Sequence, residues 1–113
     1  MAEYIHVITS VASKDEGERI ARALLEKRLA ACVQIVGPIS SLYWWQGKIE
    51  HAEEWLCLAK TERALFAKIE ETIKAMHSYE VPEILAIPII EGSTGYLRWM
   101  EEQIAVATKE DAC

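Results

Sequence analysis

Apolar positions recur along the chain with two alternating periods. Tyr4 to Ser10, YIHVITS, is apolar and β-branched and reads as a buried strand. The period then lengthens. Ser13-Lys14-Asp15-Glu16 fits a capping box, and Gly17, Ile20, Ala21 and Leu24 follow on one side at helical spacing, with Leu25 on the flank. Glu18, Arg22 and Glu26 face away, which predicts an amphipathic helix of about four turns. After Leu29-Ala30-Ala31 the pattern is strand-like from Cys32 to Trp45, broken at Gly37-Pro38, where a residue without an amide proton predicts a bulge or bend. Gln46-Gly47 marks a reversal of undefined turn type, and Ile49 to Thr61 returns as a second arm. Thr61 is expected to cap a second helix whose buried stripe is Leu65, Phe66, Ile69, Ile73 and Met76, closed by His77-Ser78-Tyr79. Glu83 to Ile90 is expected as the last strand, with Pro88 marking an edge or a strand end. Gly92-Ser93-Thr94 breaks the chain, and a terminal helix is expected from about Tyr96, with Leu97, Met100 and Ile104 on one side. The polar tail, residues 107–113, is expected to fray.

The order is β-α-β-β-α-β plus a helix. It predicts an α+β, ferredoxin-like split-βαβ sandwich, with two helices on one face of an antiparallel-containing sheet. The 113 residues are expected to form one domain, 1–113. The central hairpin is unusual. Each arm holds about a dozen residues, roughly 40 Å when extended, against an ordinary strand of five or six. Two helices cover only its inner half, so the outer half projects beyond the subunit's own core. There the sequence places LYWWQGKIE, residues 42–50, and adjacent strand residues point to opposite faces. Trp44 and Trp45 cannot both lie on one layer, and leaving either in water wastes several kcal/mol. Tyr43, Trp44 and Trp45 are therefore read as an interface with other copies of the chain, and a closed ring of three is compatible with an arm that reaches a neighbour.

Charge and composition exclude several partners. A net charge of −6 without a basic stripe argues against nucleic acid. No apolar run approaches the roughly 18 residues a membrane span requires. The N-terminal MAEYIHVITS lacks a basic segment and does not read as a secretory signal. Cys32, Cys57 and Cys113 are widely spaced and odd in number, which favours a reducing compartment; the cytoplasm is expected.

Candidate chemistry is sparse. His77 ends the second helix in HSYEVPE, with Glu80 and Glu83 three and six residues on, an arrangement able to fold oxygens around a cation. The competing reading is a helix-ending histidine held by backbone carbonyls. His6 reads as a strand histidine and His51 as solvated or interfacial. Cys32 and Cys57 lie in apolar strand contexts where a thiol behaves as a small hydrophobe; a two-residue turn sets them opposite about Thr61 and Val36. Glu53 and Glu54 point to opposite faces and form no catalytic dyad. No activated nucleophile or phosphate-binding loop is visible, so no enzymatic activity is expected. A polar set remains: Thr9-Ser10 at the end of the first strand, Lys60-Thr61 at the end of the returning arm, and Tyr79, Pro82 and Glu83 near the last strand. With Trp45 from a neighbour, Thr9, Lys60 and Tyr79 make a candidate inter-subunit pocket for a small anion or a metal-bound ligand. The alternative is structural, with Lys60 paired to Glu83.

The stretches RLAACVQIV (28–36), SSLYWWQGKIE (40–50), KTE (60–62), HSYEVPEILAIPI (77–89) and GYLRWM (95–100) together resemble the CutA divalent-cation-tolerance family, over a span from about Tyr4 to Glu102. The resemblance implies a ferredoxin-like subunit in a homotrimer, similar in architecture to the PII signalling proteins, with a cytoplasmic role in tolerance to copper and other divalent metals. In copper-binding bacterial members the candidate ligands are a cysteine near the end of the first strand and a His-His pair. Here those positions hold Thr9 and Met76-His77, leaving His77 and Glu83 as metal ligands. Without a soft thiolate, loosely bound divalent ions are expected rather than a tight Cu(I) site. The alternatives are a PII-like sensor binding a small ligand between subunits and a non-catalytic scaffold trimer.

Overall fold

The computed structural model describes residues 3–112, with side chains described for residues 3–104. The chain forms β1 (Tyr4–Val11), α1 (Lys14–Glu26), β2 (Cys32–Trp45), β3 (Lys48–Glu62), α2 (Phe66–Met76), β4 (Ile84–Pro88) and α3 (Thr94–Ala112), with one 3-10 turn at Arg63–Leu65. The strands make one antiparallel sheet in the order β2-β3-β1-β4, the expected ferredoxin-like arrangement. Of the tail expected to fray, residues 107–112 lie within α3, and Cys113 lies outside the described residues.

Alternation builds the core. Ile5, Val7, Thr9 and Val11 of β1 and Cys57, Ala59 and Thr61 of β3 point to one face and are buried. Ile20 and Leu24 of α1 and Ile69 and Ile73 of α2 close over that face. Ser13 caps α1, accepting from the Glu16 amide at 3.2 Å. Gln46 (φ 50°) and Gly47 (φ 78°) are both left-handed, the requirement of a type I′ turn, so the hairpin keeps its twist despite an unfavourable glutamine.

Five expectations need correction. Thr61 does not cap α2: it stays in β3, where its hydroxyl donates to the Leu29 carbonyl at 2.6 Å. Leu65, the last residue of the 3-10 turn, stands at the N-cap of α2 without a side-chain bond. Met76 is 39% exposed, because the buried stripe of α2 ends with Thr72 and Ile73. The last strand is shorter than expected, Ile84–Pro88 rather than Glu83 to Ile90, and α3 begins two residues before Tyr96. Finally, a bulge between Val36 and Ile39 shifts the hairpin register, so Cys32 faces Lys60 and Cys57 faces Ile35. Gly37 and Pro38 together oppose Trp55, whose indole lies so close that a Cβ on Gly37 would meet its Cδ1 at 2.2 Å.

The molecule measures 47 × 28 × 23 Å. Trp44 is 73% exposed and Trp45 58%, and Leu42 and Ile49 beside them are also exposed. Register places Ile8, Leu56, Leu58, Leu85 and Val36 together on the sheet face away from α1 and α2, and Val36, Leu85 and Ile87 are exposed there. Both edge strands carry a proline: Pro38 in β2 and Pro88 ending β4.

Candidate functional site

The polar residues of the sequence meet where α2 runs out beside the end of β1. His77 follows Met76 in extended backbone (φ −74°, ψ 139°), which ends the helix and turns the chain over the strand. Its side chain is fully buried. His77 Nε2 lies 2.8 Å from the Ser10 carbonyl oxygen, which only accepts, so this nitrogen carries the proton. Nδ1 is then the acceptor, taking the Tyr79 amide at 3.0 Å. Both ring nitrogens are engaged by backbone.

Glu16, from the first turn of α1, ties the same loop. Its Oε2 accepts from the Ser78 amide at 2.7 Å, and its Oε1 from the Ser78 hydroxyl at 3.0 Å and the Ala12 amide at 3.4 Å. Oε2 also stands 3.6 Å from His77 Nδ1. Tyr79 stacks against His77 with 4.9 Å between ring centres and donates its phenol to Glu54 Oε2 of β3 at 2.7 Å. Burial, followed by that bond and the charge of Glu54, pushes the Tyr79 phenol far above its ordinary value. The loop is thereby fastened to α1, β1 and β3.

Thr9 lies in register between Cys57 and Ile84; it is buried, and its hydroxyl has no partner among the described residues. Glu83, one residue before Ile84, is exposed. Cys57 is a protonated thiol: burial, then the charge of Glu16, raises it to about 11, and its Sγ contacts the Gly17 carbonyl at 3.7 Å. No cluster of three or more metal-binding side chains occurs among the described residues.

Thr9 precedes Ser10, whose carbonyl holds His77, and Tyr79 lies against His77, whereas Glu83 is exposed one residue before Ile84, the register partner of Thr9. Lys60 is not among them. Antiparallel pairing sets the end of β1 against the middle of β3, so Thr9 meets Cys57, whereas Lys60 pairs with His6 about 10 Å further along. Lys60 donates to the Tyr96 hydroxyl at 3.2 Å and forms no pair with Glu83. Trp45 pairs with Lys48 at the hairpin tip, about 30 Å along β3 from the row of Thr9. Trp45 of the same chain therefore does not reach Tyr79. Sequence reading missed Glu16, Ser78 and Glu54. Alternation did assign Glu54 and Glu53 to opposite faces, and Glu54 is the buried one.

Glu16 makes the fold acid-sensitive. Burial alone would raise its carboxyl, but the Ser78 amide and hydroxyl, the Ala12 amide and His77 outweigh burial and hold it below its usual value. A depressed carboxylate stabilises the fold above its unfolded value, near 4.3, and loses that contribution as pH falls through the folded value. Glu16→Gln is expected to cost about 1–3 kcal/mol at pH 7, by urea unfolding at fixed concentration, and less below about pH 4. An equal cost at both pH values would contradict this assignment.

Comparison with known proteins gives consistent matches. A family model described as CutA1 divalent ion tolerance protein matches residues 5–103. The divalent-cation tolerance protein CutA of Thermus thermophilus is 48% identical over 96 residues, 85% of this chain and 93% of that protein. The crystal structure of CutA1 from Oryza sativa superposes with a TM-score of 0.87 at 40% identity, covering 89% of this chain and 93% of that one. The structure described as the periplasmic divalent cation tolerance protein CutA from Archaeoglobus fulgidus gives 0.84 at 47% identity, covering 92% and 99%.

Proposed function

The chain belongs to the CutA1 divalent ion tolerance family, and from that premise we propose that it serves tolerance to divalent cations, copper included, as a non-catalytic homotrimer in the cytoplasm. The observation that carries the assembly is the hairpin, whose Trp44 and Trp45 are largely bare beside an apolar sheet face. Monomeric proteins rarely leave so much contiguous apolar surface in water. The number three comes from the family resemblance. Among the described residues no helix is long and apolar enough to cross a membrane. The free thiols of Cys32 and Cys57 favour a reducing compartment, although the Archaeoglobus relative is described as periplasmic. Cell fractionation distinguishes the two locations.

Ion binding in this reading is weak for a physical reason. An ion reaching His77 must take Nδ1 from the Tyr79 amide, at a cost of about 1 kcal/mol, and Glu83 supplies only a hard, exposed oxygen. Calorimetric titration with Cu²⁺ is expected to show saturable, low-affinity binding that weakens in His77→Ala and Glu83→Ala. No saturation, or unaltered binding in both variants, would remove metal capture from the proposal. The sensor alternative is weakened at this rim, because Lys60, its intended cation, lies elsewhere.

A further inference from the structure

No further inference is drawn: the strongest candidate, the apolar cavity of about 860 Å³ between the start of β1, the first turn of α2 and the end of β4, carries nothing because Arg63 at its edge is already paired with Glu3 and nothing in the structure shows what covers it.

Discussion

Trp44→Ala and Trp45→Ala are each expected to move the protein from the proposed trimer to smaller species in sedimentation velocity at micromolar concentration. The two residues are neighbours on β2, so their indoles leave opposite faces of a two-stranded ribbon, and no single layer of their own subunit can cover both. With 73% and 58% of their surface bare, burying them against neighbours contributes about 3 kcal/mol each at roughly 25 cal/mol per Å². A trimer contains three of each, so the loss compounds through the assembly. If folding and assembly are linked, the variants should also melt at temperatures that fall on dilution. Trimers that persist in both variants would contradict the arm-sharing assembly.

Gly37→Ala is expected to destabilise the subunit by about 2–3 kcal/mol. The added methyl would sit 2.2 Å from Cδ1, 2.6 Å from Cγ and 2.8 Å from Nε1 of Trp55, so something must move. Trp55 packs against the core, so swinging the ring away opens space beneath it, and moving the backbone disturbs the bulge that sets the register of the whole inner hairpin. Urea unfolding measures the loss. Adding Trp55→Leu, which removes the colliding ring, should recover part of the loss relative to Trp55→Leu alone. A cost under about 0.5 kcal/mol would show that the contact yields freely.

Much of the fold was legible because the apolar period switches cleanly between two and 3.6, and because the capping box at Ser13 announces α1. The overlong hairpin was equally plain from spacing. Three features were not. The fate of Thr61 depended on an acceptor at Leu29, 32 residues earlier, which outcompeted the cap. The register depended on where the extra residue of the bulge was absorbed, and that was decided by the fit of Trp55 over Gly37. Lys60 falls outside the candidate site because strand direction, which local pattern does not carry, sets the end of β1 against the middle of its antiparallel partner. In the candidate site, His77 and Tyr79 stood out in sequence, but Glu16 reaches Ser78 across 62 residues and Tyr79 reaches Glu54 across 25. Such contacts leave no trace in local pattern. Glu16 already had a sufficient local explanation in the capping box, which concealed its second role.

The prolines of the two outer strands bear on how growth stops. Pro38 and Pro88 each remove an amide proton from a sheet margin, so an added strand meets a gap in the ladder. Sister chains can dock along such a margin for a few residues, but they cannot zip endlessly in the manner of a fibre. A sticky, tryptophan-tipped ribbon is thereby directed toward finite closed particles and away from amyloid-like stacking.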